Sequence, residues 1–323
     1  MDTSRIQYRQ GMPFYPVTFP MNEADGLVIE DLRLQELLEY LNYNGIKSSY
    51  ICSMNNFDFL EQCKQLEYLA IELKVSPEYY SILDKKGKGL LKEYDSTPLY
   101  QLKDLKSLSI IDTEEPFIFS KLKIDLSRVG ALEKFCGDAK YIERIEYASQ
   151  LKSLWINFYE EENLEKLSKL EKLDSIKFIF SKLKSLKGCE KLNNLQCLYL
   201  YDNRHLADIS SLKFLKHSLK ALRIENCGKI QDFSVLEELE ELELLELWGS
   251  NKIPSLSFVK KMKNLKTFIF NVDVMDGNLY PCLDLQYVFC GKGRKYYNLK
   301  DVKLPKGDYV RGNENIEIWR RFE

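Results

Sequence analysis

The chain has 323 residues, 45% hydrophobic and 30% charged, with 47 basic side chains against 49 acidic ones and a net charge of −2. That near cancellation excludes a general electrostatic pull toward nucleic acid or an anionic membrane, so neither is expected as a partner. No run is apolar enough to span a bilayer, and the first twenty residues lack the basic-then-apolar order of a secretory leader. The eight cysteines (Cys52, Cys63, Cys136, Cys189, Cys197, Cys227, Cys282 and Cys290) form no C-x-x-C pair. They are scattered like small apolar residues, which suits a reducing, cytoplasmic setting better than a disulfide framework or a zinc site.

In chain order, Tyr15–Phe19 and Leu27–Glu30 read as short strands and Leu32–Leu41 as an amphipathic helix. From Ile46 an apolar phrase recurs irregularly, through Ile46 and Ile51, Leu66-Leu69-Ile71, Leu105-Leu108-Ile110 and Leu132-Phe135. An insertion of about 74–100 interrupts it. There Ser76-Pro77-Glu78 reads as a helix start, and the run Lys85-Lys86-Gly87-Lys88-Gly89 breaks the pattern. A second excursion covers about 113–130.

The phrase is clearest at Leu195–Asn203, which reads L-x-x-L-x-L-x-x-N. Equivalent triplets are Leu151-Leu154-Ile156, Leu173-Ile176-Phe178, Leu195-Leu198-Leu200, Leu219-Leu222-Ile224, Leu242-Leu245-Leu247, Leu265-Phe268-Phe270 and Leu285-Val288-Cys290. Their starts lie 22, 22, 24, 23, 23 and 20 residues apart. Before each triplet runs a three-residue beat, as in Leu186, Cys189, Leu192 and Leu195, which suits a short helix or 3₁₀ turn. At the ninth position Asn203 and Cys227 fit the phrase, but Ser250 and Asp273 replace Asn, so looser turns are expected there. The pattern is lost from Lys292, and Asn315–Phe322 reads as a last strand.

This period and pattern resemble the leucine-rich repeat family in its short, roughly 22-residue subclass, strongly over Leu151–Cys290 and more weakly from Ile46 to Asp138. The resemblance implies an α/β fold, a leucine-rich repeat solenoid. A curved parallel β-sheet forms its concave face and short helices or 3₁₀ turns its convex face. The expected organisation is an N-terminal cap over 1–45, the solenoid over 46–290 and a C-terminal cap over 291–323. Caps are needed because the last repeat at either end of a solenoid would expose its core.

With Leu198 and Leu200 pointing inward, Cys197, Tyr199 and Tyr201 point the other way. The resemblance implies that this way is the concave face. One column then runs Ala70, Ser109, Cys136, Trp155, Lys177, Tyr199, Arg223, Glu246, Ile269, Phe289, and its neighbour Glu72, Ile111, Asp138, Asn157, Ile179, Tyr201, Glu225, Trp248, Asn271, Gly291. At about 4.8 Å per strand the columns extend roughly 45 Å, ample for a standard interface of about 800 Å² per partner. The candidate contact residues are Trp155, Tyr199, Tyr201, Arg223, Glu225, Glu246, Trp248 and Phe289, which include the side-chain types enriched at binding hot spots. A purely structural stripe competes with this reading, because strands favour aromatic residues anyway.

No catalytic, cofactor or metal signature stands beside that stripe. His205 and His217 lack a nucleophile in a recognisable context. Gly87-Lys88-Gly89 and Gly291-Lys292-Gly293-Arg294-Lys295 lack the remainder of a phosphate loop. The glutamate-rich run Glu237–Glu243 has leucines at threefold spacing and reads as the wet side of a repeat helix. The basic group from Lys292 to Lys306 reads as a solvated cap. The expected function is a non-enzymatic protein–protein interaction module, since the resemblance implies protein recognition. The alternative is an inhibitor or immunity-type protein that neutralises one enzyme or toxin, while an enzyme or a purely structural scaffold is less favoured.

Overall fold

In the computed structural model, the described residues are 7–16, 25–52, 54–73, 90–111 and 118–308. The chain divides into two units, Met1–Leu151 and Lys152–Phe322. In the first, β1 (Gln7–Arg9), β2 (Met12–Pro16) and β3 (Asp25–Ile29) pair antiparallel. The helix α1 (Leu34–Tyr43) buries Leu37, Leu38 and Leu41 and returns the chain to β4 (Ser48–Cys52), parallel to β3. Parallel pairing continues through β5 (Tyr68–Glu72), β7 (Ser107–Ile111) and β10 (Lys134–Asp138). Two short parallel pairs stand apart from this sheet. One joins β6 (Leu90–Glu93) to β8 (Ile118–Lys121), and the other joins β9 (Ile124–Asp125) to β11 (Ile142–Glu143).

The second unit is the regular one. Its sheet runs β12 (Ser153–Asn157), β13 (Ser175–Ile179), β14 (Cys197–Tyr201), β15 (Ala221–Glu225), β16 (Leu244–Trp248), β18 (Thr267–Phe270) and β20 (Tyr287–Cys290), all parallel. A small side pair, β17 (Lys252–Ile253) with β19 (Asp273–Val274), lies beyond the strand ends. The connections carry 3₁₀ helices such as Cys189–Lys191, Ser234–Glu238 and Ser257–Lys261, the tighter of the two forms expected for the three-residue beat. The triplet residues are buried throughout, Leu285 excepted, which is half-exposed. Truncating one of them, such as Phe178 to Ala, is expected to cost about 3–5 kcal/mol.

The early expectations match in kind and shift at their boundaries. The expected helix Leu32–Leu41 begins as a 3₁₀ turn at Asp31–Arg33 and continues as α1. The first expected strand, Tyr15–Phe19, starts earlier, at Met12, and its residues 17–19 lie outside the described residues. The expected helix start at Ser76, the Gly87-Lys88-Gly89 run and the strand Asn315–Phe322 also lie outside them. Residues from Leu90 to Tyr100, taken as part of an insertion, form β6 and a 3₁₀ helix at Thr97–Gln101.

One expectation changes. The repeat after β16 has no looser turn, because Asn251, one residue beyond the ninth position, takes the buried role. Its Nδ2 donates to the carbonyls of Cys227 (3.1 Å) and Ile230 (2.8 Å). Ser250 is the extra residue, and Gly249, at φ +133°, makes the turn before it, its N–H donating to Asn271 Oδ1 at 2.6 Å. Asn203 acts one repeat pair earlier: its Oδ1 accepts from the Ser181 N–H at 2.9 Å and its Nδ2 donates to the Phe178 carbonyl at 3.3 Å. Both asparagines satisfy the backbone of a neighbouring repeat inside the core, where a lone amide or carbonyl would be costly.

Two predictions follow from this packing. Asn203→Ala and Asn251→Ala should each destabilise the protein by roughly 2–4 kcal/mol in urea titrations, since each leaves two backbone or side-chain groups unpaired, whereas exposed Ser250→Ala should change little. All eight cysteines are buried, and burial pushes the Cys63, Cys189, Cys227 and Cys282 thiols up to about 12. Ellman's reagent should therefore react slowly with the native chain and titrate eight thiols once it is unfolded.

Candidate functional site

The strand face of the second unit is built by register. Trp155, Lys177, Tyr199, Arg223, Glu246, Ile269 and Phe289 are direct neighbours on successive strands, as are Asn157, Ile179, Tyr201, Glu225 and Trp248. Beside them on the same face, at the strand starts, lies a closed cluster. Cys197, Ala221 and Leu244 cluster with Tyr199, and Tyr201 packs against the cluster. Cys197 thus shares the face of the two tyrosines but is fully covered by them and their neighbours. The face is a thin second core with a polar and aromatic lid.

The lid is internally bonded. The Lys177 ammonium sits 3.5 Å from the Trp155 ring centroid and 4.7 Å from that of Tyr199, and the Arg223 guanidinium lies 4.6 Å from the Tyr199 ring. The Tyr199 hydroxyl donates to Glu225 Oε2 at 3.0 Å, and Arg223 donates to the same oxygen at 2.7 and 3.1 Å. A second carboxylate, Glu246, is only 4% exposed. It receives the Trp248 indole N–H at 3.0 Å and lies 3.5 Å from Arg223. Trp248 tilts against Phe289 at 6.3 Å, and Lys306 lies 5.5 Å from the Phe289 ring.

Electrostatics follow from that closure. Burial pushes the Tyr199 hydroxyl up, Arg223 opposes this and Glu225 reinforces it, so the phenol stays a donor at ordinary pH. Burial works against the Arg223 charge, but Glu246, Tyr199 and Glu225 outweigh it and the net direction is upward. The cation is locked between two carboxylates and an aromatic face.

The eight candidate residues therefore come together in one unit but are not equally accessible. Tyr199 (8% exposed) and Glu246 are covered, Trp155, Tyr201, Arg223, Glu225 and Trp248 are half-buried, and Phe289 is 37% exposed. In the first unit, Ala70, Ser109, Cys136, Glu72 and Asp138 are all buried, with Tyr15 tilted against Tyr50 within an apolar cluster. Its columns add no open aromatic surface. Sequence reasoning passed over Lys177, whose aliphatic–cationic body bridges two rings, because strand alternation does not show which cation sits between aromatics. His205 and His217 are exposed, and among the described residues no group of His, Cys, Asp and Glu could hold a metal ion. Nor is any described helix long and apolar enough to cross a membrane. Removing the buried carboxylate with Glu246→Ala should lower stability by about 2–4 kcal/mol, because it strips a partner from both Arg223 and the Trp248 N–H. Urea unfolding followed by tryptophan emission measures it.

No family model matches the chain, and no curated protein matches it. Its similarities are to solved structures. An internalin, InlF, from Listeria monocytogenes aligns with a TM-score of 0.53 at 18% identity, over 76% of this chain and 66% of the internalin. This chain thus spans just under two thirds of that structure. A leucine-rich repeat protein from Leptospira interrogans aligns at 16% identity over 82% and 88% of the two chains, with a TM-score of 0.42. The leucine-rich repeat domain of the type III effector XopL aligns at 16% identity over 75% and 82%, with a TM-score of 0.49. The internalin likeness, the parallel strands with 3₁₀ connections and the roughly 22-residue period agree. The fold of the chain is that of a leucine-rich repeat solenoid.

Proposed function

We propose that this protein is a non-enzymatic recognition module that binds a protein partner on the concave strand face of its second unit. The observation that carries this reading is the group of half-exposed Trp155, Tyr201, Arg223, Glu225, Trp248 and Phe289, set in two adjacent register columns of the parallel sheet. Trp, Tyr and Arg supply most of the energy at protein interfaces, and here they are held rigid by cation–π contacts and shared carboxylates, which lowers the ordering cost of binding. Covered Tyr199 and Glu246 act as the frame that fixes these contacts. The carboxylates are already engaged by Arg223, Tyr199 and the Trp248 indole, which favours recognition over acid–base chemistry. A reducing, cytoplasmic setting belongs to the same proposal and is supported by the burial of all eight cysteines in the apolar core.

Affinity capture from a native lysate of the source organism, compared with the Trp155→Ala/Trp248→Ala double variant, tests the assignment. A specific partner should bind wild-type protein at least about 30-fold more tightly than the variant, as loss of a hot-spot residue implies. Equal recovery by both proteins would remove the strand face as the binding surface. If the partner is an enzyme that loses activity in the complex, the inhibitor form of this reading is the correct one.

A further inference from the structure

In the second unit the first five strands are each followed by one residue that turns the chain off the sheet with φ positive: Phe158 (+53°), Phe180 (+53°), Asp202 (+51°), Asn226 (+55°) and Gly249 (+133°). In the first four the N–H of this residue donates to the last carbonyl of the next strand, at 2.8, 3.0, 2.8 and 2.9 Å. The bond is the same whatever the side chain, so the turn itself asks for no aromatic ring. Asp, Asn and Gly are the residues that adopt this conformation readily, and a bulky side chain here is an outlier. Two adjacent repeats nevertheless use phenylalanine.

Both rings are open to solvent, Phe158 41% exposed and Phe180 43%. They stack at 5.6 Å with 22° between planes, and Tyr201 meets Phe180 edge-on at the same separation. Tyr201 in turn meets Tyr199 at 6.3 Å, so four rings run from the rim of the sheet onto the strand face. The charged side chains beside this ridge are matched among themselves: Lys182 with Glu160, Lys184 with Glu162, and Arg204 with Asp202. The Phe158–Phe180 end of the ridge is apolar, and the charges flanking it are paired, which gives phosphate or an ionic peptide little to engage.

We infer that Phe158, Phe180 and Tyr201 form an aromatic rim site for an uncharged, apolar loop of a protein partner, with aliphatic, methionine or proline side chains set against the exposed rings. Strained residues that neighbouring repeats avoid are a mark of function rather than of folding, and rigid aromatics at a surface are effective anchors. The site rests on the reading of this protein as a binding module and extends that module's surface beyond the strand columns to the strand ends.

The test uses the full chain and a random dodecapeptide phage library as probe. Selected peptides are synthesised and titrated by fluorescence anisotropy against wild type, Phe158→Asn/Phe180→Asn and Trp155→Ala/Trp248→Ala. Asparagine is the residue the chain itself places at 226. The expected result is a set of uncharged, apolar peptides whose affinity drops at least tenfold in the asparagine variant, with a urea midpoint equal to or above that of wild type. Phe180→Asn alone serves if the double variant does not purify. Recovery of no peptide, a charged consensus, unchanged affinity, or a lowered urea midpoint each overturns the rim site. Loss of binding only in the tryptophan variant overturns the rim and leaves the strand-face reading standing. Loss only in the asparagine variant does the reverse, and loss in neither ends both.

Discussion

A single strand with its 3₁₀ turn presents more apolar surface than it can cover, and every feature of this chain follows from how neighbouring repeats cover it together. The inward Leu, Ile and Phe side chains fill the space between strand and turn. Stacking alone would still strand backbone amides and carbonyls where the chain leaves each strand, in a region closed to water. Asn203 and Asn251 supply those missing partners from one repeat to the next. Apolar burial provides the driving force, and these polar bridges make the burial affordable by leaving few groups unpaired.

The same stacking creates the strand face. Parallel strands place like positions side by side at the sheet spacing, so one repeat's Lys177 meets the next repeat's Tyr199, and Arg223 meets Glu246. At that distance, residues that would be independent on a loose surface become one network of ring faces, cations and shared carboxylates. The buried small residues beside them at the strand starts, Ser175, Cys197 and Ala221, leave room for the lid to settle onto the sheet. A large side chain at any of them would lift Tyr199 or Lys177 away from its partners.

Much of this was legible in advance. Alternation within the strand and the roughly 22-residue period gave both columns in the register seen in the second unit, from Trp155 to Phe289. What could not be read was accessibility. Tyr199 and Glu246 look like surface residues by alternation, yet each is covered by the neighbours it bonds to. Cys197 likewise lies on the strand face and is fully buried. The Asn251 bridge was hidden because one extra residue, Ser250, shifts the asparagine off the repeat's count, and the apolar pattern does not announce such an insertion. Phe158 and Phe180 escaped notice for a related reason: they fall between strand and turn, outside both the triplet and the columns.

By itself, the sequence determined the repeat, the identity of the inward face and which side chains share a column, because these depend only on periodicity and on the alternation of a strand. Tertiary structure alone decided which of those side chains are open, which cation lies between which rings, and where the chain takes a strained turn. Those properties belong to contacts between repeats some 22 residues apart, and their energies depend on distances and burial that no single repeat contains. The clearest case is the aromatic rim, since a phenylalanine at 158 or 180 means little until the fold sets the two side by side.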